Sequence, residues 1–131
     1  MAPEGNGFAG RERVKTGAEY RKVLAGGVRV DGALFALVAK ENGRPFDRLG
    51  LAVGRRIGDA VVRNRVKRLL REAFRRQKRG AEGGQDIILT AKPEIARKTQ
   101  ADVDREFEKR LRRLASRRGP KPAGPAPSSG N

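Results

Sequence analysis

Within residues 55–79, eleven of 25 positions are Lys or Arg and only Asp59 and Glu72 are acidic, so this stretch carries +9 of the chain's +16. Arg outnumbers Lys there nine to two. The chemistry open to such a set is anion recognition. A guanidinium is a planar fork that holds a phosphate through two parallel hydrogen bonds and stacks on a base; an ammonium holds phosphate as a point charge and has no plane to stack. On a helix at 100° per residue, Val62, Leu69, Leu70, Ala73 and Phe74 fall within about 80° of Val66. Asn64, Arg68, Arg71 and Arg75 lie opposite. Lys67 and Lys78 flank them on one side, Arg65 and Arg76 on the other, and Arg63 sits nearer the core edge. A merely solvated face mixes Glu with Lys at i, i+4 for a few tenths of a kcal/mol per pair. Here like charges stack instead, at Arg68, Arg71 and Arg75 and at Arg63 and Lys67. Cations near the helix start also oppose the macrodipole. An uncompensated local cost of this kind implies a partner that brings negative charge.

No catalytic set accompanies it. The chain has no His and no Cys, which removes the commonest general base, the commonest metal ligand and all thiol chemistry. The acids are scattered except for Asp102, Asp104, Glu106 and Glu108, which interleave with Arg105, Lys109 and Arg110 as surface ion pairs do. The Gly-rich residues 80–84 lack the GK[ST] ending of a phosphate loop. A sequence pI near 11.5 draws polyanions. No run of about 18 apolar residues exists to span a bilayer, and residues 1–10 lack the design of a signal peptide. The expectation is a cytoplasmic nucleic-acid binder, with no membrane partner and no cofactor or metal held by protein residues.

The elements that must position the basic face follow from periodicity. The 131 residues suit one domain with a modest core. Residues 1–10 and the Pro/Gly/Ser-rich residues 119–131 are expected as disordered tails, leaving 11–118 as the folded unit. A short helix is predicted over 17–25, with Tyr20, Val23 and Leu24 on one side and Gly26-Gly27 as its stop. Strands are predicted over 33–40, 48–54 and 86–91. In the second, Gly50, Ala52 and Gly54 alternate with Leu49, Leu51 and Val53; a face of small residues lets another element approach the backbone. The long helix is expected over 60–79, with Asp59 as N-cap and Gly80 as stop. The last helix starts near Thr99, whose spacing to Asp102 is that of a capping box; Val103, Phe107, Leu111 and Leu114 form its apolar stripe. This order predicts an α/β domain, an α+β-like two-layer sandwich: a small mixed sheet, terminal helices, and the basic helix as a crossover between two parallel strands.

The segment GRRIGDAVVRNRVKRLLREAF, residues 54–74, resembles the signature of the bacterial ribonuclease P protein component. Its mark is the triplet Arg63, Asn64, Arg65 on a basic helix, preceded by a Lys/Arg pair, Ile-Gly and Ala-Val, and followed by Lys67, Arg68 and Arg71. RERVKTGAEYRKVLAGG, RLGLAVG and DIILTAKP extend the likeness to about residues 11–114. The resemblance implies a left-handed crossover, although such connections are right-handed almost always. It also implies a role in removing the 5′ leader of precursor tRNA, with the RNA subunit as catalyst through bound Mg²⁺. Carried over, Arg55, Arg56, Arg63, Asn64, Arg65, Lys67, Arg68, Arg71 and Arg75 would hold the catalytic RNA. Arg11, Arg13, Lys15, Tyr20 and Phe35 would line a cleft for the leader, core packing being the other reading of Tyr20 and Phe35. Leu24 and Val38 stand where relatives often carry aromatics.

Three rival readings differ by class. A ribosomal or other structural-RNA-binding protein shares the composition but not the 55–74 signature. A DNA-binding domain would need a helix-turn-helix partner for the long helix, and its neighbours read as strands. A nuclease acting alone would cleave precursor tRNA with Mg²⁺ and no added RNA.

Overall fold

The computed structural model describes residues 13–14, 16–77 and 84–118. Both expected tails, Arg11, Lys15, Lys78 and the Gly80 stop lie outside them. The chain runs α1 (Gly17–Gly26), β1 (Val28–Val30), β2 (Phe35–Glu41), β3 (Arg48–Ala52), a 3-10 turn (Arg55–Ile57), α2 (Ala60–Arg76), β4 (Gln85–Ala91), a second 3-10 turn (Pro93–Arg97) and α3 (Gln100–Arg118). The sheet order is β1-β2-β4-β3. β1 and β4 both run antiparallel to β2, while β3 and β4, joined through α2, run parallel as expected, with Leu49 opposite Ile87 and Leu51 opposite Leu89. β1 was not expected: its three residues are too few for an alternation to register.

Strand alternation divides the sheet's side chains between two faces. Phe35, Leu37, Ala39, Leu49, Ile87 and Leu89 join Val66, Leu69, Leu70, Ala73 and Phe74 of α2 and Val103, Phe107 and Leu114 of α3 in the main core. The Phe107 ring stands 6.2 Å from Phe35 and 6.5 Å from Phe74. On the other face, Val38 and Ile88 pack with Val23 and Tyr20 of α1. Thus α2 and α3 cover one side and α1 part of the other.

α1 begins at a capping box the sequence reading overlooked. The Glu19 amide donates to Thr16 Oγ1 at 3.1 Å, and the Thr16 amide to Glu19 Oε1 at 3.3 Å. Glu19 also faces Arg48, whose Nη1 lies 3.4 Å from its Oε2. Arg48 is buried and grips Asp86 with two hydrogen bonds, Nε to Oδ1 at 2.8 Å and Nη2 to Oδ2 at 2.7 Å. Asn42 Nδ2 adds a third contact to Asp86 Oδ1 at 2.8 Å. The two residues are directly opposite in the parallel β3/β4 register, so one buried ion pair fixes that register and, through Glu19, seats α1.

Burial alone would raise the Asp86 carboxyl, but hydrogen bonds from Arg48 and Asn42 and the Arg48 charge outweigh it and hold the group below its ordinary value of 3.8. A carboxyl depressed in the folded state stabilises above its unfolded pKa and loses that contribution as pH falls through the folded one. The melting temperature should therefore drop as pH falls below about 4, and drop less steeply in Asp86→Asn; parallel curves would show that the pair carries no pH dependence. Arg48→Ala, which strands the carboxylate, should cost on the order of 3–5 kcal/mol at neutral pH.

Candidate nucleic-acid interface

The approach to α2 is built to be rigid. Ile57, 7% exposed, anchors the turn in the core while Arg55 and Arg56 remain exposed. Gly58 has φ 153°, and a Cβ there would meet Val62 Cβ at 2.9 Å, so only glycine turns the chain at this point. Asp59 then caps the helix, its side chain accepting from the Val62 amide at 3.0 Å.

α2 is oriented as its periodicity predicts. Val66, Leu69, Leu70, Ala73 and Phe74 are buried, Asn64, Arg65, Arg68 and Arg75 are exposed, and Arg63, Lys67 and Arg71 are half-buried. The cations divide by what they touch. Arg75 and Arg76 both pair with Glu72, and Arg76 Nη1 reaches Asp104 Oδ2 at 2.5 Å; the last turn is thus largely neutralised. Arg65 donates to the carbonyls of Ala96 at 3.1 Å and Lys98 at 2.7 Å, clamping α2 to the turn before α3. By contrast, no carboxylate among the described residues pairs with Arg55, Arg56, Arg63, Lys67, Arg68 or Arg71. Val61, 77% exposed, sits i−3 from Asn64 and offers apolar surface beside them; the sequence reading passed over it.

Arg13 lies near Arg68 and Arg71 rather than standing apart with the leader residues. It bridges to Leu49 along the outer edge of β3, and the buried Val14 donates its amide to the Leu49 carbonyl at 3.0 Å. Burial holds the Arg71 guanidinium below the usual arginine range, and the nearby charges of Arg13 and Arg68 lower it further. Three like charges therefore converge where the N-terminal segment passes α2.

The leader residues fare differently. Tyr20 lies across β3 on the α1 side. Its hydroxyl accepts from the Leu51 amide at 2.9 Å and donates to the Leu51 carbonyl at 3.2 Å. The close approach depends on Gly50, where a Cβ would stand 2.9 Å from Tyr20 Cζ; this is the role the small-residue face of β3 was expected to serve. Phe35 corrects the sequence reading: it is 0% exposed and packs against Phe107 with the two rings tilted at 56°, on the opposite face from Tyr20. Alternation carries Ala36 and Val38, not Phe35, to the α1 side. On that side the half-exposed Ala52 and Thr90 lie in register, with Leu24, 49% exposed, one turn beyond Tyr20 on α1. Once Phe35 and Leu37 are placed in the core, period-2 counting finds this floor. Arg11 and Lys15 fall outside the described residues.

The acidic cluster of α3 is largely engaged. Asp102 accepts from the Thr99 amide and hydroxyl, Asp104 from Gln100 and Arg76, and Glu108 pairs with Arg112. Among the described residues, no three His, Cys, Asp or Glu side chains gather closely enough to hold a metal ion, and no helix is long and apolar enough to cross a membrane.

Comparison with known proteins agrees with this geometry. The family model described as Ribonuclease P matches residues 8–115. The ribonuclease P protein component of Syntrophus aciditrophicus is 41% identical over 96 residues, covering 73% of this chain and 81% of that protein. That of Nitrosococcus oceani is 36% identical over 104 residues, covering 79% and 87%. The solved structure of the ribonuclease P protein from Thermotoga maritima superposes with a TM-score of 0.71 at 29% identity, covering 79% of this chain and 98% of that one. The basic helix with its Arg-Asn-Arg triplet, the mixed sheet and the match along most of the chain together show that this chain belongs to the family of ribonuclease P protein components.

Proposed function

We propose that the chain binds the RNA subunit of ribonuclease P through the outer face of α2 and the 5′ leader of precursor tRNA through the α1 side of the sheet, while the bond is cut by the RNA. The observation that carries this reading is the set of cations on α2 that no described carboxylate neutralises. Arg55, Arg56, Arg63, Lys67, Arg68 and Arg71 are held by a packed helix and a glycine-locked turn, so little backbone freedom is lost on meeting phosphates. Arg13, beside Arg68 and Arg71, adds to the same field. Asn64 brings an amide that both donates and accepts, suited to a base edge or ribose. Arg65 and Arg75 enter less directly, since each already has partners within the protein.

Among the described residues, the carboxylates do not suit a magnesium site. Asp86 is committed to Arg48, Asp59 to the α2 cap, Glu72 to Arg75 and Arg76, and Asp102 to Thr99. In this reading Mg²⁺ is held by the RNA, and the protein contributes affinity and substrate positioning. On the other face, Tyr20 offers a ring, with Ala52 and Thr90 as a floor and Leu24 as an apolar wall. Single strands are held in such places by sequence-tolerant stacking, worth about 1–3 kcal/mol per base. The aromatic surface here is Tyr20 without Phe35, so the contact is narrower than the sequence reading expected.

Reconstitution tests the assignment. Purified protein with Mg²⁺ should not cleave precursor tRNA, and addition of the RNA subunit should give correct 5′ ends; cleavage by the protein alone would overturn it. Affinity for the RNA subunit should fall with salt at a log–log slope of roughly 0.7–0.9 per phosphate contacted; a nearly flat dependence would remove the electrostatic basis. Arg68→Ala should weaken assembly with the RNA subunit whatever the substrate. Tyr20→Ala should leave assembly intact and lower holoenzyme affinity for precursor tRNA only when the leader is long enough to reach the cleft, with mature tRNA unaffected. Equal loss with and without a leader would make Tyr20 a packing residue.

A further inference from the structure

The charge on α3 is segregated. Its residues 100–108 hold four acids and one Arg, whereas residues 109–118, KRLRRLASRR, hold six Lys or Arg and no acid. The helix macrodipole accounts for cations in the final turn only, because its effect fades within that turn. Lys109, Arg112 and Arg113 lie further back. They also sit at repelling spacings: Lys109 is i−3 and i−4 from Arg112 and Arg113, and Arg113 is i−4 from Arg117.

Some of this charge is absorbed within the fold. Arg112 pairs with Glu108 at 3.2 Å, Arg110 donates to the Asp31 carbonyl at 2.6 Å, and Arg117 donates to the Arg29 carbonyl of β1. Lys109 and Arg113 are exposed, and neither has an ion-pair or hydrogen-bond partner among the described residues. The segment is held firmly beneath them: Leu114 is 3% exposed, and Leu111 packs against the same core.

Its place in the fold separates it from the α2 face. Where the helices meet, Glu72, Arg75, Arg76 and Asp104 neutralise one another. From Asp104 α3 advances about 7.5 Å to Lys109 and about 13.5 Å to Arg113 at 1.5 Å per residue, so Lys109 stands about one Debye length (about 8 Å at physiological salt) from the neutral belt and Arg113 well beyond it. Both helices nevertheless cover the same side of the sheet, away from Tyr20. We infer that residues 109–118 of α3 form a second phosphate-binding surface for the RNA subunit, centred on Lys109 and Arg113, reached by an RNA that passes over the neutral belt from α2. This rests on the reading that α2 binds that RNA.

The test uses the full chain carrying Lys109→Gln and Arg113→Gln, titrated with the RNA subunit across salt concentrations beside wild type and Arg68→Ala. Because neither side chain has a described partner, the melting temperature should not fall. The double variant should bind more weakly, with a log–log salt slope reduced by roughly 0.7–0.9 for each lost contact. The charge-keeping pair Lys109→Arg and Arg113→Lys should restore the wild-type salt slope and most of the affinity lost in the Gln pair. The assembled holoenzyme should bind precursor tRNA as before. If Arg68→Ala weakens RNA-subunit binding and the α3 double variant does not, the inference fails while the proposed function stands. If neither changes binding, both fail. A loss confined to precursor tRNA affinity would assign the surface to substrate and overturn the inference.

Discussion

Burial of one stripe of α2 is the constraint on which the rest of the structure depends. Val66, Leu69, Leu70, Ala73 and Phe74 are withdrawn from water against β3, β4 and α3. Each larger side chain among them stabilises by about 1.5–3 kcal/mol relative to exposure. The like-charge spacings on the outer face cost about 0.2–0.5 kcal/mol per pair. The apolar side wins by a wide margin, so a helix poorly suited to water on its own can be held rigid with unneutralised arginines facing out. A shallower core would leave that face free to relax away from its cost.

The cations are not one undifferentiated field. Arg75 and Arg76 are answered by Glu72 and Asp104, Arg65 is tied to backbone carbonyls, and Arg48 is spent on Asp86. The basic surface of α2 is what remains after these internal demands are met. Its richest point lies beside β3, whose outer edge is closed by Val14 on Leu49 and by the Tyr20 hydroxyl on Leu51. That edge would otherwise expose unpaired backbone groups. The same two contacts bring Arg13 close enough for its charge to act on Arg71 and hold Tyr20 over the opposite face, so the surface proposed for the RNA subunit and the one proposed for the leader meet along a single strand.

Several of the described acidic side chains have structural work. They cap helices, neutralise arginines at the α2–α3 contact, or sit in the Arg48 pair. The Arg48–Asp86–Asn42–Glu19 group matters most, because it ties α1 to the sheet and thereby fixes where Tyr20 can reach. A buried ion pair is weak evidence of stability by itself, since desolvation offsets much of the attraction. Its value here is geometric: it joins directly opposed residues of two parallel strands and adds to the register that the Gly50–Tyr20 approach also requires.

By itself the sequence determined which face of α2 packs and which is charged, because a 3.6-residue period needs no partner to be read. It also determined the Asp59 and Thr99 caps and the close approach at Gly50, all of which are local matters of a few residues. The strands around α2 were legible to within a residue or two for the same reason. Only tertiary structure decided which arginines remain without partners, because the partners of Arg65 and Arg48, and Asp104 for Arg76, lie 28 to 38 residues away. It alone turned Phe35 into the core: an apolar strand buried on both faces shows no alternation, so its sequence does not say which residues look towards α1. Likewise, β1 exists only because β2 supplies its hydrogen bonds, and Arg13 meets Arg71 only because the N-terminal segment is paired along β3. Local periodicity is written in neighbouring residues, whereas charge neutralisation and strand facing depend on contacts between distant ones.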